Sequence, residues 1–215
     1  MLKKLLTLGA VSAFLFSFAQ QKLSIIPSVG YAWRTAEMPK GISAEERNYL
    51  KGLKTGMNFD VSAYYHLKGD VALGLKYSNY SASNNGKISV IDNNGNVVSG
   101  VVHTKDNITF FGPALMYSNF NQETKHKLFL DLALGVISYT TKTGGVKGTG
   151  SNLGVEMNMG YQYALAKNVF IGPKLGLTGG TLNKMKFNGV TYEFGEDQKE
   201  GLGRVSLSAA ATFHF

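Results

Sequence analysis

The 215-residue chain contains no cysteine. That absence excludes a disulfide framework, a thiolate metal site and a lipid-modified N-terminal Cys. Proline is scarce, with four residues against 26 glycines, 13 phenylalanines and 11 tyrosines. Such a composition fits an all-β chain with turns rather than a disordered one. After residue 18 no apolar run approaches the roughly 20 residues that a membrane-crossing helix needs. Nucleophile elbow, metal-protease helix motif and phosphate-binding loop are all missing. Enzymes built on those devices are thereby excluded.

The N-terminus is expected to be a signal peptide over residues 1–19. Lys3 and Lys4 supply a positive start, Leu5 to Phe18 an apolar run too short to span, and Ser17-Phe18-Ala19 the small residues before a cleavage site. Cleavage after Ala19 leaves a single domain over residues 20–215 that begins at Gln20. Loss of Lys3 and Lys4 lowers the formal charge of +8 by two. The remaining basic residues are scattered, so nucleic acid is not expected as a partner.

What is present is alternation. Eight segments place apolar residues at every second position, which puts them on one face of a strand. The first has Ile25, Pro27, Val29, Tyr31 and Trp33 on one face, and the second Met57, Phe59, Val61, Ala63 and Tyr65. Val71, Leu73, Leu75 and Tyr77 form the third, and Phe111, Pro113, Leu115 and Tyr117 the fourth. The fifth runs through Leu128, Leu130, Leu132, Leu134 and Val136, the sixth from Leu153 to Tyr163, the seventh from Val169 to Leu177 and the eighth from Val205 to Phe215. Connections alternate between short turns (Lys68-Gly69-Asp70, Asn121 to His126, Ala166-Lys167-Asn168) and long loops at 36–52, 82–106, 140–150 and 179–201. Short turns on one rim and long loops on the other predict an eight-stranded antiparallel up-and-down transmembrane β-barrel with both termini on the short-turn, periplasmic side.

A soluble barrel alternates as well. Its solvent face would carry Lys, Glu, Asp and Thr, whereas the second face here is mostly Gly, Ala, Ser and Asn. That face suits the lumen of a small barrel, which side chains fill. Charges gather in the loops instead, as at Glu45, Glu46 and Arg47 or Glu193, Glu196, Asp197, Lys199 and Glu200. Pro27, Pro113 and Pro173 lie inside expected strands, and Gly112-Pro113 and Gly172-Pro173 are candidate bulges.

These features, with the terminal Ala211-Thr212-Phe213-His214-Phe215, make the chain resemble a small outer-membrane β-barrel of the OmpA/OmpX type. The resemblance covers residues 20–215 and implies location in the outer membrane of a Gram-negative cell, contact with its lipids, and delivery to the barrel assembly machinery through Phe215. With nothing after Phe215, a peptidoglycan-binding domain is not expected.

By strand parity Arg34, Lys76, Lys174 and Arg204 share the lumen with Asp60, Asp131 and Glu156. Two readings stay open: a packed ion-pair network that stiffens the barrel, or the lining of a narrow ion path. Of the four histidines, His66 and His214 point inward near the short-turn rim, too few ligands for a metal site. Tyr31, Trp33, Tyr77, Tyr117, Tyr161, Phe213 and Phe215 are expected at the membrane interface. Lys87 to Ser99 and Met185 to Phe194 read as hairpins around Asn93-Asn94-Gly95 and Asn188-Gly189, continuing the wall beyond the membrane. The expectation is a monomeric, cofactor-free, non-enzymatic barrel with a structural or adhesion-like role through its loops. A narrow channel is the alternative, and an enzyme acting on lipid or peptide is the third reading.

Overall fold

The computed structural model describes residues 22–39, 41–91, 95, 97–195 and 199–215. The expected signal peptide at 1–19, Gln20, the Asn93-Asn94 part of one turn, and Glu196 and Asp197 lie outside the described residues. Eight strands form the wall: β1 (Leu23–Arg34), β2 (Thr55–Lys68), β3 (Val71–Ile91), β4 (Val97–Ser118), β5 (His126–Thr143), β6 (Val146–Ala166), β7 (Val169–Leu182) and, last in the chain, β11 (Arg204–His214). Each pairs antiparallel with its neighbour, and β11 pairs with both β7 and β1, so the sheet closes on itself. The remaining elements, α1 (Ala44–Leu53), β8 (Lys184–Phe187), β9 (Val190–Glu193) and β10 (Glu200–Gly201), all belong to the long-loop end.

Side chains alternate around this ring as the period of two requires. On β5, Leu128, Leu130, Leu132, Leu134 and Val136 face outward and are exposed, while Phe129, Asp131, Ala133 and Ile137 are buried inside. Five such rows on a strand tilted about 40° cover roughly 20 Å of height, close to the apolar band of a membrane barrel. Aromatic residues flank the band at both levels. Tyr31, Trp33, Tyr77 and Phe111 sit toward the long-loop end, and Tyr65, Tyr117, Tyr161, Tyr163 and Phe213 toward the short-turn end, all exposed. Phe215 is half-buried, its backbone paired with that of Leu23.

The strands outrun the sequence expectation on one side only. β3 and β4 stay paired up to Ile91↔Val97, and β5 and β6 up to Thr143↔Val146, where Gly144 (φ 53°) and Gly145 (φ 95°) make the turn. The stretches 82–106 and 140–150, expected as loops, are therefore largely strand. Above the band their outward residues turn polar, and the apolar alternation that marks a strand in lipid disappears. The hairpin expected around Asn188-Gly189 forms as β8 and β9, with both turn residues at positive φ (45° and 96°).

The prolines do not create bulges, contrary to expectation. Register is constant through Pro27, Pro113 and Pro173, and the shifts occur instead at His66/Lys68 and Ala164/Ala166, beside short turns. Each proline turns its missing N–H toward one neighbour, where the ladder skips two pairs: β1 with β11 at 26–27, β4 with β5 at 112–113, β7 with β6 at 172–173. Continuous pairing on its other side keeps the strand in place. At the β4–β5 gap Gly112 faces Gly135, and a Cβ on Gly135 would lie 2.2 Å from the Phe111 carbonyl. Gly135→Val should therefore lower the urea midpoint of unfolding, at a cost of about 2 kcal/mol or more. An unchanged midpoint would show that the gap relaxes freely.

Candidate functional site

Among the described residues the fold gathers its buried charge in the lumen, and the lumen is organised in levels. Nearest the short turns, Phe120, Phe129 and Phe170 stack with ring centroids 5.4–5.8 Å apart, Phe120 being the common member. His66 and His214 share this level. Ser24 Oγ lies 2.8 Å from His66 Nε2 and 2.8 Å from His214 Nδ1, and His214 Nε2 is 3.0 Å from Asn121 Oδ1. Their ring nitrogens are thus engaged within the chain, and no group of metal-ligating residues occurs among the described residues. Lys127 donates to the Phe120 and Gln122 carbonyls and lies 4.9 Å from the Phe170 ring centroid, closing the level.

The middle level is ionic. Lys174 pairs with Asp60, which also accepts from Ser28 Oγ at 2.5 Å. Lys76 pairs with Asp131 and stands 3.8 Å from Glu156; Asn158 donates to Asp131 at 2.9 Å. Glu156 collects Ser78 at 2.6 Å, Thr178 at 3.2 Å and Arg204 at 3.4 Å, and Arg204 also donates to Ser78 at 2.7 Å. Seven of the eight wall strands contribute. β4 instead turns Ile108, Phe110 and Met116 inward, all fully buried, so one side of the lumen is apolar.

At the long-loop end Arg34 pairs with Glu200 at 2.5 Å and with Asp106 at 3.6 Å, and its guanidinium lies 5.2 Å from the Tyr139 ring centroid. Helix α1 covers this mouth. Tyr49 donates to Thr104 Oγ1 at 2.5 Å, the Leu53 carbonyl accepts from Tyr80 at 2.8 Å, and the Tyr49 carbonyl accepts from Asn84 at 2.8 Å. Beneath the helix a cavity of about 320 Å³ is bordered by Arg34, Asp106, Tyr139 and Glu200.

The structure buries Arg34, Asp60, Lys76, Asp131, Glu156, Lys174 and Arg204. They form two clusters rather than one, with Arg34 apart from the rest. Sequence reasoning missed Lys127 and Asp106, the latter because residue 106 was assigned to a loop; with them the buried set is five cations and four carboxylates. It also missed α1, although Ser43-Ala44-Glu45-Glu46 spells a capping box. The Ser43 hydroxyl accepts from the Glu46 N–H at 3.2 Å, and Glu46 accepts from the Ser43 N–H at 2.9 Å.

Among neighbouring folds, the crystal structure of Neisserial surface protein A (NspA) superposes with a TM-score of 0.54 at 15% identity, covering 91% of this chain and 98% of that one. A major outer membrane protein from Thermus thermophilus gives 0.52 at 11% identity, covering 90% and 99%. No protein-family model matches the sequence, and no curated protein sequence matches it either. The fold is that of the small outer-membrane β-barrels of the OmpA/OmpX type.

Removing one charge from the middle level should be costly, because its partners remain buried. Glu156→Gln should destabilise the barrel by about 3–5 kcal/mol, read from urea unfolding in lipid vesicles. An effect below about 1 kcal/mol would mean that water already solvates the cluster. The capping box has its own pH signature. Hydrogen bonds from Ser43 hold the Glu46 carboxyl below its ordinary value. A depressed folded value stabilises the cap above the unfolded value, and this is lost as pH falls through the folded one. Amide protection in α1, corrected for the intrinsic exchange rate, should fall across that range, and Glu46→Gln should abolish that change.

Proposed function

We propose that the chain is a closed outer-membrane barrel with a structural or surface-interaction role, its long-loop end facing outward from the cell and its lumen serving as a strut rather than a path. The observation that carries this reading is the side-chain plug that fills the lower and middle levels of the lumen. A conducting pore needs continuous water, and ions must find binding strong enough to enter but weak enough to leave. Here a buried aromatic cluster, a matched set of charges and a helix-covered mouth follow one another. Ser24, Ser28 and Ser78 are engaged by histidines and carboxylates, which supports a non-catalytic interior.

Activity toward partners is then assigned to the exposed rim, where β3–β6 and the β8–β9 hairpin stand beyond the apolar band. Phe215, at the end of the closing strand, is assigned to recognition by the assembly machinery. In planar lipid bilayers the refolded, heat-modifiable protein should give no discrete conductance steps. Reproducible steps that change when Arg204 is replaced by Ala would overturn the strut reading in favour of a narrow channel.

A further inference from the structure

The tall side of the barrel carries an outward-facing polar surface directly above the apolar band. Cross-strand pairing orders it in rows. The last apolar row is Tyr77–Phe111–Val136–Leu153, on β3 to β6. Above it lies Asn79–Thr109–Ser138–Ser151, then Ser81–Asn107–Thr140–Thr149, the last of these facing Lys186 of β8. The next row is Ser83–Lys105–Lys142–Lys147. Three lysines on three adjacent strands therefore stand directly opposite one another, and Lys186 joins them from one row below.

Like charges in directly opposed positions destabilise a sheet. Among the described residues, Lys105, Lys142, Lys147 and Lys186 make no ion pair with a carboxylate. The neighbouring Lys184 is opposed by Glu193 across the hairpin. Below the lysines, Ser138, Thr140, Thr149 and Ser151, with Lys184 and Lys186, line a recess of about 370 Å³, the size of a small-molecule cleft. The recess is thus bordered by hydroxyl groups and two lysines, with three more lysines in the row above, a chemistry suited to phosphate esters and sugars.

Height selects the occupant. Six residues separate Phe111 from Lys105, roughly 15 Å of vertical rise on a tilted strand. The hydroxyl rows begin one step above the hydrocarbon, where lipid headgroups lie. We propose that this face binds the phosphorylated sugar headgroup of an outer-leaflet glycolipid, with Lys105, Lys142, Lys147 and Lys186 on its phosphates and the hydroxyls on its sugar. The assignment rests on the membrane orientation proposed above.

Because the chain has no cysteine, a single introduced thiol can carry a fluorophore. It would be placed through Thr109→Cys beside the recess, or through Tyr31→Cys on β1, across the ring. The labelled barrels are inserted in phosphatidylcholine vesicles doped with quencher-bearing bisphosphorylated lipid A. Quenching at position 109 should reach its midpoint at about tenfold lower lipid fraction than at position 31. Combining Lys142→Gln, Lys147→Gln and Lys186→Gln should erase that preference, and replacing the same lysines by Arg should keep it. Equal quenching at both positions, or a preference that survives the Gln changes, would overturn the proposal. So would full displacement of the lipid by millimolar inorganic phosphate, which would mark a free-anion site, or an equal preference for phosphatidylglycerol, which would mark bulk charge attraction. Heat-modifiable mobility distinguishes these failures from a wild-type protein that does not insert at all, which would defeat the membrane reading itself.

Discussion

Everything in this molecule depends on closing the backbone hydrogen-bond ladder where water is absent. An open sheet in hydrocarbon would expose a row of N–H and C=O groups on each edge, each costing several kcal/mol. Pairing of β1 with β11 removes both edges at once. Closure then dictates the rest. Eight strands give a lumen only wide enough for side chains, so inward positions must be filled, and outward positions must tolerate lipid. The three prolines within the wall show how firmly the ladder is held. Each forfeits bonds toward one neighbour, yet the register on both sides of the gap is unchanged.

Filling the lumen with ions is a choice with a physical cost, since charges inside pay for desolvation and recover it only through good partners. The chain meets that condition by pairing charges from non-adjacent strands and giving the carboxylates hydroxyl and amide donors, as with Ser28 on Asp60, Asn158 on Asp131 and Ser78 on Glu156. The inward glycines leave room for neighbouring rings: a Cβ on Gly56 would meet Tyr80, on Gly74 Tyr64 and on Gly160 Phe129. At the middle level Ile108, Phe110 and Met116 of β4 lower the polar load on one side.

The band region was legible from sequence because lipid imposes a strict rule on every second residue there. Leu128 to Val136 could hardly be read otherwise, and parity alone placed seven charged residues in the lumen. Legibility ended where the strands left the band. Lys105, Asn107 and Thr109 alternate with Asp106, Ile108 and Phe110, but both faces begin polar, so the upper half of β4 looked like loop and Asp106 was lost with it. Helix α1 was hidden for a different reason. Only Tyr49 and Leu53 of its ten residues are buried, leaving little apolar periodicity beside its capping box. The proline bulges failed because an antiparallel strand residue bonds to one neighbour only, and a missing donor on that side can be tolerated without inserting a residue.

The interior network has a further meaning when viewed along the chain rather than across it. Asp60 and Lys174 are 114 positions apart, Ser78 and Arg204 126, and Ser24 and His214 190. Each of these contacts joins strands that lie far apart in the chain. A slip of one residue in any strand would turn its inward set to the lipid and strand a charge there. The lumenal charges thus tie register to electrostatics: they find their partners in this ring, and a strand displaced by one residue would leave them without.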